Sequence, residues 1–243
     1  MASSRFEAYA SSNFDKLDFT EQAGRYAFQA EAERLILADV MGKLQLDPSD
    51  TLLDVGCGPG TLLIPLSFMV ARATGVDLPP VIDRLSKRFS DSKIRLIGGC
   101  FPDVDLLGKY SKIISYSVLH CVADLKGARA FVAAIADLLA PGGRALIGDL
   151  PNTNVKARNA RAADAASQSA SSQAQIDAWR RNQGDGHPFD EFSGSTGIGG
   201  FTDKDIMDII TDLRENAFDS YWLPQPPQLP FGRTREDLLI IRR

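Results

Sequence analysis

Apolar residues along this chain fall into two kinds of pattern. Short, nearly continuous runs at Thr51–Val55, Ala73–Leu78, Ile94–Ile97, Lys112–Val118 and Arg144–Asp149 read as strands buried on both faces. A strand covered on both sides has no solvent face on which to alternate. Between them lie stretches with helical spacing: Thr61–Ala71, a helix opened by Pro79-Pro80 and running to about Phe89, and Gly127–Leu139. Proline suits the first helical position because the N–H it lacks would have no intrahelical partner there. Upstream, Tyr26, Ala30, Leu37, Val40, Met41 and Leu44 recur at helical spacing and predict a single helix over Glu21–Leu44. Strands alternating with helices call for a parallel sheet with both faces covered.

The alternation fails on either side of this block. Residues 1–20 are polar with scattered aromatics (Phe6, Tyr9, Phe14, Phe19) and no clean period. Asn152–Gly200 is rich in Ala, Ser, Gln, Asn and Gly, with one helical stretch from about Ala162 to Arg181. So long an irregular segment inside a domain is commonly functional, and it is read here as a lid. Thr202–Asn216 is again helical, with Thr202 as N-cap. Phe218–Leu223 and Leu238–Arg242 are expected as two closing strands, joined by the proline-rich Pro224–Gly232 loop. The chain is thus expected to comprise an N-terminal helical cap (1–45), a ligand-binding core (46–151), a lid insertion (152–200) and a closing helix with two core strands (201–243).

Composition narrows the partners. At 243 residues, with 44% hydrophobic and 24% charged content, the chain suits one sizeable soluble α/β domain. A net charge of −4 gives no basic field for nucleic acid or an anionic membrane. The cysteines, Cys57, Cys100 and Cys121, have no metal-ligand spacing and are odd in number, so neither a metal site nor a disulfide framework is expected. There is no apolar run long enough to span a bilayer and no leader-like N-terminal pattern. The expectation is a cytoplasmic protein.

The chemistry centres on Leu52-Leu53-Asp54-Val55-Gly56-Cys57-Gly58-Pro59-Gly60. Glycines after a buried strand allow a sharp turn and close approach of a ligand to the main chain. The helix expected behind them offers unpaired N–H groups. Dinucleotide sites space their glycines G-x-G-x-x-G. Here the spacing is G-x-G-x-G, with an acid two positions before the first glycine. Asp77, ending the second strand, is placed to accept bonds from ribose hydroxyls.

This nonapeptide resembles motif I of class I S-adenosylmethionine-dependent methyltransferases. Ser111–Asp124 (S-K-I-I-S-Y-S-V-L-H-C-V-A-D) and Leu138–Asp149 (L-L-A-P-G-G-R-A-L-I-G-D) resemble that family's fourth-strand and helix–PGG–fifth-strand blocks. The resemblance covers about residues 50–150 and implies a doubly wound, mostly parallel seven-stranded sheet of order 3-2-1-4-5-7-6. It implies S-adenosyl-L-methionine as cofactor, with Asp54 holding the ammonium, Gly56, Gly58 and Gly60 facing the methionine moiety, and Cys57 contributing its backbone. Asp77 and Leu78 belong to the ribose side, and Ser115 is counted with the cofactor residues. Two positions depart from the family. Gly98-Gly99 leaves no carboxylate for the adenine amino group, so the N–H groups of Cys100 and Phe101 are expected to meet the ring, with Asp103 as a stand-in. Ser111 occupies the place where an aspartate often opens the fourth strand.

Methyl transfer from a sulfonium asks mainly for alignment, plus a general base when a hydroxyl is methylated. The candidate bases are His120, His187 and Asp149, and Tyr9, Tyr26 and Tyr116 are candidate substrate contacts. The expected function is O-methylation of a small acceptor, a sugar or secondary metabolite, with no nucleic acid, membrane or metal involved and a homodimer left open. An NAD-dependent oxidoreductase, or a catalytically silent cofactor-binding partner subunit, stands as the alternative.

Overall fold

Leu52 and Leu53 are neighbours in the first strand, and both are fully buried on opposite faces. Leu52 packs with Ile36, Val40, Leu44, Leu63, Leu66 and Leu85. Leu53 packs with Phe131, Ile135, Ile206, Ile209 and Ile210. Period-two alternation in a strand therefore feeds two separate helix layers, and the sheet between them is the frame of the molecule.

The structure, a computed structural model, describes residues 4–11, 14–161, 174–182 and 197–243. In chain order the elements are α1 (Ser4–Ser11), α2 (Phe19–Gln22), α3 (Ala30–Leu44), β1 (Thr51–Val55), α4 (Leu63–Ser67), β2 (Arg72–Asp77), α5 (Pro79–Arg88), β3 (Ile94–Gly98), β4 (Tyr110–Tyr116), α6 (Leu125–Asp137), β5 (Leu139–Pro151) and α7 (Thr153–Ala160). There follow α8 over 174–182, then α9 (Asp203–Glu215), β6 (Phe218–Pro224) and β7 (Arg235–Arg242). The sheet has seven strands in the order β3-β2-β1-β4-β5-β7-β6, as expected. β1 to β5 pair in parallel, and β7 enters antiparallel to β5 and β6. The order turns at β1 and β4, where a cleft opens at the strands' carboxyl ends.

Lys112, on β4, shows how the layers lock together. Its Nζ donates to the carbonyls of Leu44 and Gln45 at 2.9 and 2.8 Å, satisfying orphan acceptors at the C-terminus of α3. A cation there also complements the helix dipole.

Several boundaries differ from the sequence expectation. The single helix over Glu21–Leu44 is broken: Gly24 adopts φ 79°, a short 3-10 turn occupies Ala27–Gln29, and α3 starts only at Ala30. Residues 4–11 are helical although they lack a clean period, and α1 is tied to the core through Arg84, whose Nη1 donates to the Ala10 carbonyl at 3.2 Å. Thr61–Ala71 contributes only the short α4. Pro141-Gly142-Gly143, expected as a turn, lies within β5. The pairing register with β4 shifts between Tyr110 and Lys112, so the extra residues form an irregularity rather than an end. In the segment expected as a lid, α7 precedes the expected helix and α8 covers part of it, while 162–173 lies outside the described residues. No helix among the described residues is long and apolar enough to cross a membrane.

A third, smaller apolar cluster joins the two flanking segments. Phe14 and Leu17 pack with Trp179 of α8, and Tyr9, Tyr26 and Ala27 pack against them. The Trp179 indole N–H donates to Glu21 Oε1 at 3.1 Å. The N-terminal segment and α8 therefore bury one another over the cleft.

Candidate active site

The turn after β1 is held from two sides. The amides of Gly56 and Cys57 donate to the Val76 carbonyl at 2.8 and 3.1 Å. The Asp77 carboxylate accepts from the amides of Gly58 and Leu78, both at 2.7 Å. Gly56 has φ 78°, and a Cβ there would overlap the Val118 side chain, so any other residue would be both strained and obstructed. This loop forms the inner wall of a cavity of about 800 Å³, within the range of cofactor and substrate sites.

Asp54 lines that wall, 3% exposed, and has no hydrogen-bond or ion-pair partner among the described residues. Burial, with the charge of Asp77 added, pushes its pKa up to about 8. Burial also raises Asp77, to about 6, against the opposing pull of the Gly58 and Leu78 amides and of Arg84. A carboxyl group taken out of water without a partner is costly to ionise and favours an arriving cation. An amino-acid ammonium answers that need.

A second, small hollow of about 40 Å³ adjoins the first, lined by Asp77, Leu78, Gly99, Cys100, Phe101, Val118 and Phe131. It is mostly apolar, and Asp77 lines both spaces. Phe6 of α1 also borders both. Tyr9 stands over the glycine loop: its hydroxyl donates to the Gln22 carbonyl at 2.9 Å and lies 3.1 Å from where a Cβ on Gly58 would be.

The opposite wall is built at the ends of β4, β5 and β7. Asp149, 3% exposed, pairs with Arg25 at 3.0 Å, lies 3.6 Å from Arg235 and accepts a short hydrogen bond from the Ser117 hydroxyl. Burial alone would raise the Asp149 carboxyl. Arg25, Arg235, Ser117 and His120 outweigh that and hold it below the usual carboxylate range. A carboxylate so thoroughly engaged is a poor proton acceptor, which argues against Asp149 as the base. Behind it, Asp237 accepts from the Asp149 amide at 2.9 Å and from Gln225 Nε2 at 2.7 Å. Gln225 Nε2 also donates to the Tyr116 hydroxyl at 2.9 Å, and Lys43 neutralises Asp237 at 2.6 Å. Burial and the neighbouring Asp149 raise the Tyr116 phenol, so it stays protonated at neutral pH.

Of the residues singled out from the sequence, Asp54, Gly56, Cys57, Gly58, Asp77, Tyr9, Tyr26, Tyr116, His120 and Asp149 all line the main cavity. Leu78, Cys100 and Phe101 line the small one. Gly60 lines neither: a Cβ there would press on Ile64 and Leu85, so its place is in packing. Ser115 is also away from both, fully buried and donating to the Val55 carbonyl at 3.0 Å. Asp103 is exposed and borders neither hollow. His187 lies outside the described residues. The sequence reading missed Arg25, Arg235, Ser117 and Phe231. The first sat inside a supposed continuous helix, and nothing local marks the others.

The family model described as a methyltransferase domain matches residues 24–193. The chain belongs to this methyltransferase family. Solved structures of similar fold were crystallised with S-adenosylmethionine or S-adenosylhomocysteine, and S-adenosylmethionine is the cofactor. The buried, unpartnered Asp54 carboxyl group suits its ammonium, and the Asp77 carboxylate, lining the same cavity, is an acceptor available to hydroxyl groups. Among curated relatives, an uncharacterized methyltransferase of Mycobacterium bovis is 31% identical over 94 residues, 38% of this chain and 46% of that protein. A probable non-canonical nonribosomal peptide synthetase of Salinispora arenicola, CymA, is 33% identical over 108 residues, 41% of this chain and 1% of that protein. The matches thus span less than half the length of these relatives. Among solved structures, the methyltransferase fold is shared with the N-methyltransferase NodS of Bradyrhizobium japonicum WM9 in complex with S-adenosyl-L-homocysteine (16% identical, 98% of each chain, TM-score 0.58). It is shared equally with the magnesium protoporphyrin IX methyltransferase ChlM of Synechocystis PCC 6803 (18% identical, 98% of each chain, TM-score 0.58).

Proposed function

We propose that this chain methylates a hydroxyl of a small-molecule acceptor, a sugar or another secondary metabolite, using S-adenosylmethionine. The reading is carried by one observation: a single cavity has the unpartnered Asp54 on one wall and His120 with the fixed Asp149 on the other. When bound, the cofactor supplies an electrophilic methyl group on a sulfonium. Asp54 holds the ammonium, Asp77 accepts from the ribose hydroxyls, and Leu78, Cys100 and Phe101 enclose the adenine. Opposite them, His120 accepts the acceptor's hydroxyl proton, and the nearby Asp149 carboxylate favours the imidazolium that results. Tyr116 and Tyr26 bound the acceptor, and Tyr9 with Phe6 closes the cofactor side against water. Support for a small acceptor comes from the size of the cavity, about 800 Å³, and from CalS10, an amino pentose methyltransferase of similar fold (16% identical, TM-score 0.54).

Calorimetric titration with S-adenosylmethionine tests the first half. Binding is expected, with at least a tenfold loss in Asp77→Ala. No binding, or no loss in that variant, refutes the reading.

A further inference from the structure

Three aromatic rings meet at the acceptor end of the cavity. Tyr26 follows α2, Tyr116 ends β4, and Phe231 lies in the loop between β6 and β7, and all three line the space. Two of them share one guanidinium: Arg25 Cζ is 5.9 Å from the centroid of the Tyr116 ring and 5.6 Å from that of Phe231. Tyr26 meets Phe231 edge to face, with centroids 6.5 Å apart and ring planes at 71°.

Each ring is held by its surroundings. Gln225 Nε2 donates to the Tyr116 hydroxyl at 2.9 Å. The flank of that ring rests on Gly148, where a Cβ would overlap it. Phe231 has the Arg235 guanidinium 5.0 Å from its centroid. Tyr26 stacks on Phe28 at 5.3 Å and meets Trp179 edge-on at 5.2 Å. Rings fixed in this way offer a flat surface with little rotamer freedom left to lose, and they favour another ring through offset or edge contacts.

The polar groups beside these rings are engaged with one another. The Ser117 hydroxyl donates to Asp149, and Arg25 holds both while its Nη1 donates to the Ala23 carbonyl. A sugar must exchange many hydrogen bonds with water for new ones, so a wall of this kind serves it less well than it serves a planar ring. Proton matching points the same way. An imidazole, with an ordinary pKa of about 6.5, lies much nearer a phenol at about 10 than an aliphatic hydroxyl, which resembles water at about 15.7.

We propose that the methylated hydroxyl is carried by an aromatic ring, a phenol or catechol, lodged among Tyr26, Tyr116 and Phe231. The proposal rests on the methyltransferase reading and adds to it the class of the acceptor. Phe231 is a specificity residue here: it meets the body of the acceptor.

Flat and puckered rings of matched size decide the matter. The full chain is loaded with S-adenosylhomocysteine and titrated with catechol against trans-1,2-cyclohexanediol, phenol against cyclohexanol, and methyl α-glucoside. At least one aromatic probe is expected to bind tenfold or more tightly than its saturated partner and than the glucoside. Phe231→Leu should cut that preference at least threefold and Phe231→Tyr should keep it, with S-adenosylhomocysteine affinity within about twofold of the parent in both. The comparison in the parent needs no variant to fold. Aromatic probes no tighter than their saturated partners, no aromatic probe bound at all, the glucoside bound tightest, or a preference unmoved in a folded Phe231→Leu would each overturn the proposal. Failure of the parent chain to bind S-adenosylhomocysteine would instead refute the methyltransferase reading on which it rests.

Discussion

Ser117 and Asp149 both adopt φ 62°, and the hydroxyl of the first donates to the carboxylate of the second. They terminate neighbouring parallel strands, with Ser117 following β4 and Asp149 near the end of β5. A left-handed conformation in a residue bearing a Cβ is disfavoured and persists only where its surroundings enforce it. Here the enforcement comes from Arg25, which touches both side chains, and from Asp237, which takes the Asp149 amide. The strand ends are thereby turned so that a charged group faces the cavity.

Removing that carboxylate should cost stability as well as function. Asp149→Asn leaves Arg25 buried with no counter-ion, a change of about 3–5 kcal/mol when one partner of a buried pair is lost. Urea denaturation of the variant is expected to show a midpoint shift of that size. A loss under 1 kcal/mol would mean that water reaches the pair.

Cofactor affinity should depend on pH through Asp54. Its carboxyl must be ionised to hold an ammonium, and its pKa stands at about 8. Binding of S-adenosylhomocysteine is therefore expected to tighten as pH rises from 6 to 8, by up to about tenfold per unit. Asp54→Asn should bind more weakly and flatten the curve. A pH-independent affinity in the parent would contradict the assignment.

The same two acids set a stability trend in the ligand-free chain. Their folded pKa values, about 8 and about 6, lie above the ordinary value, so the folded state binds more protons than the unfolded one between about pH 4 and 8. Stability contributed by these groups is present below that window and falls as pH rises through it. Asp54→Asn should be less sensitive to pH over this range, as thermal melts across it would show.

Loss of the proposed base should act on turnover alone. His120→Gln is expected to lower kcat by about 10²–10⁴ while S-adenosylmethionine binding stays within twofold. An unchanged rate with a turned-over acceptor would remove His120 from the mechanism.

Trp179 should govern the cap. Trp179→Ala opens a hole beside Phe14 and Leu17 and strips Glu21 of its indole donor, a loss of about 3–5 kcal/mol for a buried aromatic. Hydrogen exchange is expected to quicken over α2 and the 3-10 turn at Ala27–Gln29, with β1 and β4 unaffected. Uniform acceleration across the sheet would show instead that the cap and core unfold together.

What the residues determine on their own is whatever depends on near neighbours. Uninterrupted apolar runs announce doubly buried strands, and a glycine turn behind Val55 with an acid at each flanking strand end announces the cofactor wall. Both signals lie within short stretches of chain, so they survive without knowledge of the fold. The opposite wall was decided only by tertiary packing. Arg25 and Ser117 are 92 positions apart, and Arg235 arrives at Asp149 because β7 inserts antiparallel beside β5. No periodicity links these positions, and Arg25 read as one more residue of a helix that Gly24 in fact interrupts. Charge pairing across a sheet depends on which strand ends meet, and that becomes fixed only when the whole sheet assembles.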